Sequence, residues 1–188
     1  MTLKRFLDIN LVLMITPLIF IPTFLIILIQ FILSGPPIFF WSLRVGQFNK
    51  TFFMVKFRSM NVNAPLVETS KLKSPNQFYT SIGFFLRKSS LDEIPQLFNI
   101  LKGDMSFVGP RPSLPEQKTL NSLREKKQIH RLKPGLTGLA QISGRDSLSI
   151  KEKINYDEIY LKNQSTYLDV IILLRTFLKL FNFKDISH

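Results

Sequence analysis

The chain of 188 residues contains no cysteine. A disulfide scaffold, a cysteine zinc site and thiol catalysis are excluded. Acidic residues are scarce: 13 Asp and Glu stand against 25 Lys and Arg, a net charge of +12. Yet 45% of the residues are hydrophobic, too many for a disordered basic tail. Charge is missing altogether from residues 9–43. Strong positive charge combined with a long uncharged apolar run suits a protein seated on an anionic membrane.

About 20 apolar residues suffice to cross a bilayer as a helix, and residues 11–33 meet that length. A secretory signal is disfavoured, because the run is too long and no small-residue cleavage site follows it. A buried core helix should show one polar face. Here only Asn10, Thr16, Thr23 and Gln30 interrupt the apolar residues. Pro17 and Pro22 lie inside the run, and an interior proline kinks a helix. Split at Ile21-Pro22, the segment gives two arms of about 18 Å each, too short to cross a hydrocarbon core of about 30 Å. Lys4 and Arg5 flank one end, and Arg44, Lys50, Lys56 and Arg58 follow the other. Basic flanks belong on the cytoplasmic side. A bent hairpin returning to that side satisfies both ends; a kinked spanning helix stays open at this point.

The expected organisation is a membrane segment over 1–43 and a cytosolic catalytic domain over 44–188, of α+β class and mostly helical. Residues 52–57 (FFMVKF) read as a strand and 61–79 as a polar loop. Residues 91–101 read as a short helix closed by Gly103. Residues 108–115, with three prolines and a glycine, form a stiff loop, and 133–145 hold too many glycines for regular helix. Residues 150–162 and 168–183 are helical in pattern. In the latter, Arg175 and Lys179 share one face, which suits a helix lying on the membrane or an amphipathic core helix.

The chemistry concentrates in residues 87–112, RKSSLDEIPQLFNILKGDMSFVGPRP. Ser89 and Ser90 are good helix caps, and Pro95 is tolerated only in a first turn. Asp92 and Glu93 then fall at a helix start, where the dipole favours negative charge and exposed N–H groups can also receive phosphate. Acidic residues there are commonly plain capping. The flanking Arg87 and Arg111 point further, because a guanidinium binds two phosphate oxygens at once. A carboxylate pair beside phosphate needs a cation, and Mg²⁺ is the usual choice.

These motifs resemble the bacterial sugar transferases, the monotopic polyprenyl-phosphate phosphoglycosyl transferases, over nearly the whole chain. The resemblance is carried by Lys4-Arg5 with Asp8, Gly35-Pro36, Arg44-Val45-Gly46 and Lys56-Phe57-Arg58-Ser59-Met60. It continues in Ser90-Leu91-Asp92-Glu93-Ile94-Pro95-Gln96-Leu97 with Asn99, and in Leu101 to Pro112. It ends in Pro134-Gly135-Leu136-Thr137-Gly138-Leu139-Ala140-Gln141, Gly144-Arg145 and Tyr156-Asp157.

The resemblance implies transfer of a sugar-1-phosphate from a UDP-sugar to polyprenyl (undecaprenyl) phosphate, with release of UMP. It implies Asp92 as nucleophile, through an aspartyl phospho-sugar, and Glu93 as its partner at the Mg²⁺ site. Lys56, Arg58, Arg87, Arg111 and Arg145 would be the phosphate- and nucleotide-facing cations, and Asp157, on a looser match, a further substrate-binding residue. It also implies a re-entrant helix–break–helix and a site on the cytoplasmic face of the bacterial inner membrane. Membrane lipids and downstream glycosyltransferases would be the partners. Two positions depart from the family pattern: Ile21-Pro22 stands where Ser-Pro is usual, and Ser42 replaces a Gln. Two competing readings are a membrane-tethered basic module and a transferase releasing UDP. The first leaves the carboxylate pair unexplained, and no nucleic-acid motif appears.

Overall fold

The computed structural model describes residues 2–65, 74–144 and 147–181. Helix α1, Leu3–Ser34, runs unbroken with Pro17 and Pro22 inside it. Thr2 caps its start by accepting from the Arg5 N–H, and Gly35 closes it at φ +61. Only four of its residues are buried: Asp8 and Val12 near one end, Ile26 and Gln30 near the other. Each pair is four apart and so forms one short stripe. Between the stripes Leu13, Met14, Leu18, Phe20, Ile21 and Phe24 stand exposed.

After a short turn, strands β1 (Phe39–Val45) and β2 (Thr51–Phe57) pair antiparallel, from Phe39 opposite Phe57 to Val45 opposite Thr51. Strand β1 lies partly inside the uncharged run, so composition alone concealed it. Helix α2 (Gly83–Lys88) leads into a single 3-10 turn, Leu91–Glu93, followed by helix α3 (Gln96–Lys102). The helix expected over 91–101 is thus divided. Its expected serine caps are corrected as well. Ser90 is left-handed (φ 58) and makes no capping hydrogen bond, while Ser89 Oγ donates back to the Phe85 and Leu86 carbonyls.

Strand β3 (Ser106–Val108) pairs parallel with β4 (Gly135–Thr137). Their backbones approach so closely that a Cβ on Gly135 would fall 2.1 Å from the Gly109 nitrogen, and one on Gly138 2.1 Å from the Gly109 carbonyl oxygen. Glycine is required there by contact. Helix α4 (Lys118–Lys126) precedes β4, and the short helix α5 (Leu139–Ser143) follows it, inside a stretch read as non-helical. Helices α6 (Ile150–Lys162) and α7 (Thr166–Phe181) complete the domain, α6 opening with a capping box of Ser149 and Glu152.

The main core joins Val12 of α1 to Phe52, Met54, Ile100, Met105, Phe107, Tyr160 and Ile172. A second cluster joins Ile26 of α1 to Phe57 and Leu86. Both ends of α1 therefore pack on one globular body.

Candidate active site

The 3-10 turn carrying Asp92 and Glu93 sits against the end of β2. Strand pairing holds Lys56 near that end, opposite Phe40. Its ammonium lies 3.3 Å from Asp92 Oδ2 and 2.7 Å from Glu93 Oε1. Arg111, from the proline-rich loop after β3, brings Nη1 to 3.8 Å from the same Glu93 oxygen. The Asp92 residue is only 6% exposed. Two carboxylates and two cations from three separate chain segments thus meet at one point. Glu93 is the more heavily paired acid, and Asp92 makes the longer contact.

Asn99 fixes this arrangement from below. Its side chain donates to the Phe53 carbonyl at 2.8 Å and accepts from the Val55 N–H at 3.1 Å, covering the edge of β2 away from β1 with one residue from α3. The turn and the strand cannot slide past one another without breaking both bonds.

The other expected residues are placed as follows. Arg87 Nη1 lies 3.4 Å from Met60 Sδ, and its guanidinium stands 5.8 Å from the Tyr79 ring centre. Arg58 is 6% exposed and donates to the carbonyls of Ser34, Gly35 and Pro36. Ser34 ends α1 and Gly35 caps it, so Arg58 clasps the exit of the helix, where the last carbonyls lack intrahelical partners. Asp157 is 2% exposed, and its Oδ2 accepts from Arg124 Nε at 3.0 Å and Nη2 at 2.7 Å. Burial pushes its carboxyl above the ordinary value, and the Arg124 guanidinium opposes that rise. Arg145 lies outside the described residues. Arg124 was missed in the sequence because it falls in a run of charged residues that reads as a solvated face. The available signal was Leu120, one helical turn earlier, which marks that face of α4 as the buried one.

Among the described residues no cluster of three His, Asp or Glu side chains is present. A divalent cation would therefore rest on Asp92 and Glu93 alone, with substrate oxygens completing its shell. That donor set fits Mg²⁺, which is commonly held by one or two carboxylates plus phosphates. The pair already converges on one positive charge, the Lys56 ammonium.

The family model for bacterial sugar transferases matches residues 1–183. The chain belongs to that family. It is 41% identical to a sugar transferase of Bacillus subtilis (strain 168) over 76% of this chain and 69% of that one. It is 39% identical to the UDP-glucose:undecaprenyl-phosphate glucose-1-phosphate transferase of Xanthomonas campestris pv. campestris, over 82% of this chain but 34% of the relative. It is 38% identical to the undecaprenyl-phosphate galactose phosphotransferase of Salmonella typhimurium (strain LT2), over 76% and 33% respectively. The bacterial sugar transferase unit thus corresponds to about a third of those two longer relatives.

Proposed function

We propose that this chain transfers a sugar-1-phosphate from a UDP-sugar to polyprenyl phosphate at a bacterial cytoplasmic membrane, releasing UMP. The observation that carries the reading is the convergence of Asp92, Glu93, Lys56 and Arg111. The reactions named for the family relatives agree with it. Those names differ in the sugar at nearly equal identity, so identity does not select the donor.

Both substrates are phosphate anions, and direct attack of one on the other meets charge repulsion. A covalent intermediate divides the problem. Asp92 Oδ attacks the donor's β-phosphorus. The bond from that phosphorus to the bridging oxygen breaks, and UMP departs with the oxygen. A phosphate oxygen of the polyprenyl phosphate then attacks the same phosphorus and breaks its bond to Asp92, restoring the carboxylate. Phosphoryl transfer depends mainly on positioning and charge stabilisation. Lys56 and Arg111 supply fixed cations, and Glu93 orients them. Bound Mg²⁺ would neutralise diphosphate charge.

The contacts that both ends of α1 make with one body support a re-entrant course, although the helix runs unbroken through Ile21-Pro22, where two separate arms were expected. Lys4 pairs with Asp169 at 2.5 Å, Arg5 donates to the Ile100 and Leu101 carbonyls, and Asp8 accepts from Ser106 and the Phe107 N–H. At the other end Gln30 donates to the Arg58 and Ile38 carbonyls. Tyr167, Val170, Leu174, Phe177 and Leu178 form an exposed apolar stripe on α7, which supports a helix lying in the interface.

The test is nucleotide release from a panel of UDP-sugars in the presence of polyprenyl phosphate. UMP with at least one sugar is expected. UDP instead would favour direct sugar transfer, and no nucleotide from any donor would reject the reading.

A further inference from the structure

The loop carrying Arg111 has prolines at 110 and 112, which lack N–H groups, so its carbonyls are the main handles by which the body can hold it. Five consecutive carbonyls are engaged. The Gln141 side chain donates to Gly109, the Gly135 N–H to Pro110, Arg124 Nη1 to Arg111, Arg44 Nη1 to Pro112 and the Val45 N–H to Ser113. The bond to the Arg111 carbonyl, at 2.9 Å, is charge-assisted and comes from a buried guanidinium. That guanidinium is oriented in turn by Asp157, which receives its other two nitrogens. Arg124 thus has one edge on Asp157 and the other on the backbone of Arg111, whose side chain faces Glu93.

We propose that Asp157 and Arg124 form a positioning unit that sets the Arg111 guanidinium against the carboxylate pair, and that Asp157 acts through this chain rather than by touching the donor. The inference rests on the transferase reading above. Asp157 is 2% exposed and already accepts two bonds on one oxygen, which suits a fixed anchor better than a ligand group. An ion pair at this depth is weak as a source of stability, but removing one partner strands a buried charge. Asp157→Asn keeps the shape and removes the charge that orients Arg124. Arg124 can then turn away, and the Arg111 carbonyl loses its clamp.

The experiment has two arms. In the kinetic arm, kcat and KM for the UDP-sugar are measured for Asp157→Asn, Arg111→Ala and the double variant. Asp157→Asn should lower kcat by about 10- to 100-fold, the cost of misplacing a charge by about an ångström. Its KM should stay within about twofold. In the Arg111→Ala background the same substitution should cost nothing further, because both losses pass through one side chain. Additive losses, or a raised KM at unchanged kcat, would overturn the proposal. In the second arm, hydrogen exchange is followed by mass spectrometry on peptides covering residues 109–114. Exchange there should quicken in Asp157→Asn while α4 and α6 stay protected. Unchanged exchange overturns the proposal whether or not the enzyme turns over. A wild-type chain that releases no nucleotide defeats the transferase reading and leaves the exchange result to decide the clamp. If Asp157→Asn fails to fold, Arg124→Lys takes its place: it retains the buried charge pair, but a single ammonium cannot hold both partners.

Discussion

Asp92 and Glu93 are neighbours with the same chemistry, and their surroundings separate their roles. Lys56 and Arg111 both address the same Glu93 oxygen, whereas Asp92 has the longer contact to Lys56 alone. On the proposed mechanism, the carboxylate that holds two cations organises charge, and Asp92, with fewer contacts among the described residues, is the one expected to attack phosphorus. Asp92→Asn should therefore abolish both turnover and the covalent adduct. Glu93→Gln should slow turnover by about 10²-fold or more, as expected for loss of one electrostatic partner, yet retain adduct formation. Intact-protein mass spectrometry after mixing with donor and no acceptor distinguishes them. An adduct mapped to Glu93, or one persisting in Asp92→Asn, reverses the assignment. On the proposed reaction, the same carboxylates would hold a divalent cation on which turnover is expected to depend. EDTA should stop UMP release and added Mg²⁺ restore it, and full activity in EDTA would remove the metal from the account.

At the scale of elements, Asn99 hydrogen-bonds α3 to the hairpin, beside the packing of Ile100 in one core with Phe52 and Met54. Asn99→Ala leaves the Val55 N–H and the Phe53 carbonyl without their partner. Each stranded group costs about 1–3 kcal/mol. The variant should melt several degrees lower in detergent and lose activity, because the Asp92 turn is no longer fixed to the Lys56 strand. An unchanged melting temperature would show that water replaces the amide. Asn99 could be noted in the sequence but not interpreted, since its two partners lie 46 and 44 residues away. The same limit explains the other differences. Helix α6 was legible to the residue from its own pattern, and its local capping box agrees with the start read there. Strand β2 was legible from its own composition. Strand β1 was not, because exposed Phe39, Phe40 and Trp41 continue an apolar run that reads as membrane. Ser90 resembles a cap by type, and only its left-handed backbone shows that it turns the chain instead. Of the residues that meet around the carboxylate pair, Asp92, Glu93 and Arg111 were singled out by motif and charge, and Lys56 by the family resemblance. The placement of Arg58 on the end of α1 and of Asp157 on Arg124 follows from tertiary contacts, which no local pattern encodes.

Across the whole molecule, the reaction centre and the membrane segment share a frame. Lys56 reaches the carboxylates, and two residues later Arg58 holds the carbonyls at the end of α1, a separation of about 7 Å along a strand. At the other end, Arg5 donates to the carbonyls of Ile100 and Leu101, in the helix that follows Asp92. On the proposed function, the depth of α1 in the bilayer would set the height of Asp92 relative to the lipid phosphates. This arrangement makes a strict demand on topology. If α1 crossed the membrane, one end would leave the body. Lys4 would leave Asp169, Arg5 its two carbonyls, and buried Asp8 would be drawn away from Ser106 and Phe107. Asp8 lies in the second turn of α1, and separation would take from its buried carboxylate the two donors it holds here, the Ser106 hydroxyl and the Phe107 N–H. Both ends should therefore lie on the cytoplasmic side. The chain has no cysteine, so single reporters can be added cleanly. Thr2→Cys reports the start of α1 and exposed Thr119→Cys the globular body. In intact cells an impermeant thiol reagent should label neither, and permeabilised cells should show both labelled. Labelling of Thr2→Cys from outside, with Thr119→Cys protected, would mean that α1 spans and that its contacts with the body are broken in the membrane.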